Sequence, residues 1–457
     1  MPSRSLHVAV IGAGPAGLMA ARELRREGHA PVVFERAAGV GGNWRYEGAP
    51  ADEPLGAAGV HSSLYASLRT NLPRECMGFL DFPFVAGTMG SYSEDPRRFP
   101  GHGEVLRYLE AFARRFDLHG LVRLKTEVVS VRRDGASAGW KVFYSRKLAG
   151  EQEVVEEEEF DAVVVCNGLS QPRLADIAGI EDWPGKQMHS HSYRVPDPFR
   201  GQVVVVVGYA PSGHDISRDI AGVAKEVHVA RRSPATSETQ TTARPNLWIH
   251  PMIERAEGDG SVVFQDGSRV KADAILHCSG YKYSYPFLAD DDGLSVDDNR
   301  VGPMYQHVFP PHLAPHLSFV GLHMAVSLIC YLTNHSISAL FFPVCQLQSN
   351  WVAGVLSGRI DLPSREEMME HVEAFYSKME VGGLPKRYTH SLGACTYEYE
   401  DWVADRCGKE RIEAWRKEMY ATTLKNSAHR TETYMDECVW EDDHLLPQAY
   451  QDFAKYS

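Results

Sequence analysis

A strand, a glycine turn and a helix follow one another at residues 6–36 and again at 202–232, and this repetition restricts the chain to folds that carry two dinucleotide-binding units. In the first copy LHVAVI runs into Gly12-Ala13-Gly14-Pro15-Ala16-Gly17. An amphipathic helix LMAARELRREG and a strand PVVFE ending at Glu35 come next. The three glycines serve a tight turn, the approach of backbone to a pyrophosphate, and the packing of helix on strand, none of which leaves room for a side chain. A glycine turn without a ligand is the competing reading. The strand, the helix and the terminal acidic residue, all in place, argue against it. Gly41-Gly42-Asn43-Trp44 follows closely and brings a second glycine pair to the same cofactor.

In the second copy QVVVVV leads to Gly208-Tyr209-Ala210-Pro211-Ser212-Gly213, the helix HDISRDIAGVAK, the strand EVHVA and then Arg231-Arg232. Ala210 stands where the middle glycine would be, which weakens this copy. Position is informative: Glu35 lies 23 residues after Gly12, and Arg231 lies 23 residues after Gly208. A carboxylate at that place accepts from a free ribose diol and repels a 2'-phosphate, whereas arginine pairs with that phosphate. The first unit is therefore expected to take FAD or NAD and the second NADPH. The competing reading for Arg231-Arg232 is a solvated turn after a strand.

Composition sets the outer limits. The 457 residues, 44% hydrophobic and 23% charged, suffice for a large core and two domains, and the net charge of -13 argues against a nucleic-acid partner. Eight cysteines are scattered with none in CxxC spacing, and no signal-peptide pattern precedes the first strand, so a cytoplasmic protein is expected. The longest apolar stretch, residues 322–344, includes His323, Thr333, Asn334 and His335. Membrane spans exclude such groups, so a buried or interfacial segment is expected, with no membrane anchor.

WPGKQMHSHSY, residues 183–193, carries two histidines one residue apart. No third ligand stands at a recognisable spacing, so no metal site is expected. The stretch matches the pattern FxGxxxHxxx(F/Y), with Trp183 in the Phe position followed by Gly185, His189 and Tyr193. On this motif the chain resembles the flavin-containing monooxygenases, most closely their soluble plant S-oxygenase-like branch. Further similar stretches are HSSLYASLRTNLPRECMGFLDFPF (61–84), RRFPGHGEVLRYLEAFARRF (97–116), VVVCNG (163–168), HCSGYKYSYPF (277–287) and LQSNWVAGVLSGRIDLPS (347–364). A Baeyer–Villiger enzyme would close the motif on Trp-Pro or Trp-Asp; Tyr193-Arg194 tilts the resemblance toward heteroatom oxygenation.

The resemblance implies an α/β protein with two Rossmann-like domains, the NADPH domain (196–282) inserted into a discontinuous FAD domain (1–195 and 283–457). It implies that NADPH reduces the flavin, that O2 adds to give a C4a-hydroperoxyflavin, and that bound NADP shields the adduct until a soft nucleophile takes the distal oxygen. The implied substrate is a thioether or an amine. Asn71 in LRTNLPRE matches the family's active-site asparagine, although an Asn before Leu-Pro is by itself an ordinary turn residue. The FAD set implied is Gly12, Ala13, Gly14, Pro15, Ala16, Gly17, Glu35, Gly42, Asn43, Trp44, Asn71 and Leu72. For NADP it is Thr70, Asn71, Gly208, Ala210, Ser212, Gly213 and Asp215, joined by Arg231 and Arg232.

Departures matter too. Where relatives read NGHYxxP the chain has Asn167-Gly168-Leu169-Ser170-Gln171-Pro172, and no polar role is assigned to that loop. The apolar stretch between Phe319 and Leu347 is longer than the family's crossing, and is either an altered substrate wall or a segment that compromises the flavin domain. Other outcomes fit the same residues: an auxin-forming keto-acid decarboxylating monooxygenase, a peroxide-leaking NADPH oxidase, or a catalytically silent NADPH/FAD-binding sensor.

Overall fold

The computed structural model describes residues 4–48, 54–56, 62–133, 139–147, 153–168, 171–232, 240–288, 293–322, 340–437 and 444–456. Both glycine-turn units fold as the repeat requires. His7–Ile11 is flanked by Ala30–Phe34 and Ala162–Val165, with Val122–Arg123 and Leu317–Phe319 at the edges, in one parallel five-stranded sheet. The strands are short apolar runs without alternation because both faces are covered. Helices Pro15–Arg26, His102–Arg115 and Phe341–Leu356 bury one face. A three-stranded antiparallel sheet (Thr126–Arg133, Trp140–Lys147, Glu153–Phe160) covers the other, meeting it through Phe34, Trp140, Val142 and Phe160.

The second sheet has the order Gln240–Thr241, Leu247–His250, Glu226–Ala230, Val203–Val207, Ala274–His277, Lys186–His189, parallel except for its first strand. Helix Pro211–Ala221 packs on one face and the small sheet Ile253–Ala256, Ser261–Phe264, Arg269–Lys271 on the other. The fold is mixed α/β with two Rossmann-like units.

Strand membership corrects one boundary. The expected start of the inserted unit, residue 196, falls after Lys186–His189, yet that strand is the edge of the second sheet and Trp183 is buried with Val205 and Val207 against it. An edge strand of four residues, three of them polar, has no periodicity to betray it. The chain passes between units earlier, where Gln171–Pro172 pairs antiparallel with Tyr281–Lys282. The outgoing and returning crossings thus run side by side.

WPGKQMHSHSY is architecture of that crossing. The extended stretch ends at His189, and His191 sits in the following turn. His189 is fully buried; its Nε2 lies 3.2 Å from the Gly280 carbonyl, and its Nδ1 accepts from the His191 amide at 3.0 Å. Arg194, also buried, donates to the carbonyls of Glu47, Ser62, His191 and Tyr193 at 2.6–2.9 Å, stitching the crossing to the first unit. Among the described residues no group of three or more His, Cys, Asp or Glu could hold a metal ion. Residues 323–339 of the long apolar stretch lie outside the described residues, and none of the described helices is long and apolar enough to cross a membrane.

Burial pulls His189 from 6.5 to about 4, and does the same to His277. The unfolded chain therefore takes up protons that the folded chain refuses as pH drops below 6.5, and stability declines through that range. His189→Gln removes one such site. Its Tm deficit against the native protein, followed by calorimetry, narrows between about pH 7 and about pH 5.

Candidate active site

The first cradle is built by backbone contact. Gly12 has φ +101°, a conformation that side chains resist, and its amide donates to the Phe34 carbonyl at 2.8 Å. A Cβ on Gly17 would overlap the Gly12 carbonyl oxygen, so only glycine lets the helix Pro15–Arg26 lie this close to the strand. Gly14 caps the helix without a side-chain hydrogen bond, Pro15 has no N–H to satisfy, and the amides of Ala16 and Gly17 are left facing outward at the positive end of the helix dipole. Gly42 closes the cradle: its Cβ would come 2.8 Å from the Gly14 Cα. Both glycine pairs leave a side-chain-free surface that fits a pyrophosphate.

Glu35, the first residue after the strand Ala30–Phe34, is buried. Its two carboxylate oxygens accept from the amides of Ala13 and Ala37, each at 2.8 Å. The carboxylate is thereby fixed beside the glycine turn, and each oxygen retains a lone pair for a ribose hydroxyl. Asn43 lies in the short helix Gly42–Trp44 and accepts from the Ser63 amide at 3.1 Å, while Trp44 packs against the core.

The second cradle repeats the first. Gly208 has φ +104°, its amide donates to the Ala230 carbonyl at 2.9 Å, and a Cβ on Gly213 would overlap the Gly208 carbonyl oxygen. Ala210 is the N-cap of Pro211–Ala221 and Ser212 is exposed in its first turn. The alanine is tolerated because its backbone is extended, like that of Gly14. Arg231 directly follows the strand Glu226–Ala230, as Glu35 follows its own, and Arg232 is exposed beside it.

The loop that carries Thr70, Asn71 and Leu72 lies against the second unit. Tyr65, on its upstream side, donates to Asp215 at 3.1 Å, and Ser67 donates to Asp219 at 2.8 Å. Tyr193 donates to Asp219 at 2.6 Å and its ring meets that of Tyr65 edge-on at 5.7 Å. Burial, reinforced by the adjacent aspartates, pushes both phenols far above their ordinary range, so they remain donors. Asp215, expected at the nucleotide, has both oxygens taken by protein, with His214 at 3.1 Å on the other. Thr70 is buried and donates to the Leu72 carbonyl at 2.8 Å; Leu72 packs against the core. Asn71 is exposed.

The sequence reading gave the loop that begins at Asn167 no polar role. The Asn167 Oδ1 is buried without a hydrogen-bond partner among the described residues, and its amide lies against the space a Gly12 Cβ would enter. The signal was the position itself, two residues past the end of the strand Ala162–Val165 that flanks the central strand, where ligands meet parallel sheets. Leu169 and Ser170 of the same loop lie outside the described residues.

Two dinucleotide cradles, one ending on a carboxylate and one on arginines, define a two-nucleotide oxidoreductase. A family model described as flavin-binding monooxygenase-like matches residues 5–238 and 246–399, and the chain belongs to that family. Flavin-containing monooxygenase FMO GS-OX-like 4 of Arabidopsis thaliana is 53% identical over 465 residues, covering 100% of this chain and 99% of that one. FMO GS-OX5 of the same plant is 52% identical over 457 residues, covering 99% and 95%. The solved structure of S-allyl-L-cysteine S-oxygenase from Allium sativum superposes with a TM-score of 0.90 at 51% identity, covering 99% of both chains. The protein is a flavin monooxygenase of the FMO GS-OX type, with FAD and NADPH as cofactors.

Gly17→Ala, which must push the helix off its strand, is expected to cost about 1–3 kcal/mol and to lose bound flavin. Gly87→Ala, whose new Cβ meets nothing within 4 Å, keeps both. Calorimetry with visible flavin absorbance separates the two.

Proposed function

We propose that the chain is an NADPH- and O2-dependent S-oxygenase that acts on a thioether sulfur, with an amine nitrogen as the alternative soft nucleophile. The observation that carries this reading is the pair of mirrored cradles with opposite charge, Glu35 after one strand and Arg231-Arg232 after the other. Sulfur is preferred because the relative from garlic with a solved structure is an S-allyl-L-cysteine S-oxygenase. A cytoplasmic location accords with six free cysteines among the described residues.

The residues divide the work. The amides at the start of Pro15–Arg26, with Gly14 and Gly42, hold the FAD pyrophosphate, and Glu35 orients its ribose. The start of Pro211–Ala221, with Ser212, holds the NADPH pyrophosphate, and Arg231 and Arg232 take the 2'-phosphate. Asn71 supplies an amide that orients the reacting groups between them. Bound FAD provides the oxygen-activating chemistry; the protein positions it and excludes water. No protein acid or base has to attack the substrate.

Oxygen-dependent NADPH consumption against a panel of thioethers and amines, with product and peroxide measured together, tests this reading. Sulfoxide formation matched to NADPH is expected, and Asn71→Ala is expected to keep FAD while diverting NADPH to peroxide. Consumption that ends in peroxide for every substrate contradicts it. The charge assignment has its own test in steady-state kinetics: Arg231→Ala with Arg232→Ala raises the KM for NADPH by about tenfold or more and that for NADH little, since only NADPH carries the phosphate.

A further inference from the structure

The helix Ala414–His429 is anchored in the first unit. Fully buried Arg416 donates to the carbonyls of Glu75, Cys76 and Gly78, each at 3.2 Å, a turn that begins four residues after Asn71. At about 1.5 Å per residue the helix reaches roughly 20 Å from this anchor. It ends in a compact turn, 430–437, closed by bonds from the amides of Thr433 and Tyr434 to the Arg430 carbonyl and from Asp436 and Glu437 to the Thr433 carbonyl.

That turn grips both units through carboxylates four residues apart. Glu432 accepts from Arg218 at 2.7 Å and from Arg244 at 2.9 Å, both in the second unit. Asp436 accepts from Arg69 at 2.6 Å, and the Met435 carbonyl accepts from the same guanidinium at 3.2 Å. Arg69 immediately precedes Thr70-Asn71, and Tyr434 meets Phe99 edge-on beneath that loop's bond from Arg69 to the Phe99 carbonyl. Arg218 lies on the helix that begins at the second glycine turn and also donates to the His214 carbonyl in its first turns. Burial alone would raise the Glu432 carboxyl, but the bonds from Arg244 and Arg218 outweigh it and hold the group below the usual carboxylate range.

We propose that the turn 430–437 is a clamp that sets the position of the second nucleotide helix against the Asn71 loop, with Glu432 as its positioning residue. The clamp rests on the monooxygenase reading of the cleft, because what it controls is the fraction of NADPH oxidation that ends in product. One carboxylate joins two arginines from the helix and strand region of the second unit, and a second carboxylate one turn on holds the loop. Isolated exposed ion pairs contribute little, but Glu432 shares two guanidiniums and is tied through a rigid helix to a buried anchor. The contacts Tyr65–Asp215 and Tyr193–Asp219 hold the same helix at neighbouring positions. Without Glu432 the helix loses its tie to the turn 430–437.

Glu432→Gln in the FAD-loaded full chain keeps the size of the side chain and removes its charge. Hydrogen exchange read by mass spectrometry is expected to quicken about fivefold in peptides covering 65–72 and 211–221. The share of NADPH oxidation that yields peroxide rises in parallel while FAD content stays full. Exchange that quickens only within 430–437 overturns the clamp. Quickened exchange at 65–72 and 211–221 with an unchanged peroxide share overturns its link to coupling. If the native protein itself oxidises no NADPH with O2, the monooxygenase reading fails and the exchange result alone decides the clamp.

Discussion

Everything in the cleft depends on how closely each nucleotide helix lies against its strand. At Gly17, Gly208 and Gly213 any Cβ would collide with a carbonyl oxygen, and at Gly12 the positive φ of +101° resists a side chain, so helix and turn touch through backbone. This contact aims the helix N-terminus, with its unsatisfied amides and partial positive charge, at one point beyond the sheet. A methyl group at Gly17 or Gly213 would displace that point, and pyrophosphate recognition has no side chains in reserve. Both sites are therefore mostly backbone, which explains why so few residues identify them.

In the proposed assignment, discrimination between the two sites comes from charge at the strand ends. Glu35 is immobilised by two amides and Arg231-Arg232 occupy the equivalent place in the other unit. A fixed carboxylate rejects a phosphate and arginines attract it, so identical backbones accept different nucleotides. The units themselves are joined more loosely. Two crossings pair at Gln171–Pro172 and Tyr281–Lys282, and the facing surfaces meet through hydroxyl–carboxylate and guanidinium–carboxylate bonds. These polar contacts fix the orientation of the units beside the rings of Tyr65 and Tyr193, which pack into the second unit's core.

The glycine turns, their helices and the strands beside them were legible because each rests on local chemistry: Gly12 and Gly208 at positive φ, Pro15 and Pro211 opening helices, Glu35 and Arg231 just past the strands. What was not legible depends on partners remote in sequence. Lys186–His189 became an edge strand because Ala274–His277 lies beside it. The bond that Asp215 accepts from Tyr65 joins residues 150 apart, and no local pattern announces it. Asn167 stands out only as a buried oxygen without a partner among the described residues. Tyr193, noted for the pattern it completes, proves to be the residue whose ring and hydroxyl join the two units.

A crystal structure of the protein with FAD and NADP+ tests the central claim most directly. The FAD pyrophosphate is predicted at the start of Pro15–Arg26 with its ribose on Glu35, and the NADP+ pyrophosphate at the start of Pro211–Ala221 with its 2'-phosphate on Arg231 and Arg232. NADP+ bound with its phosphate away from both arginines, or FAD seated on the second helix, would contradict it.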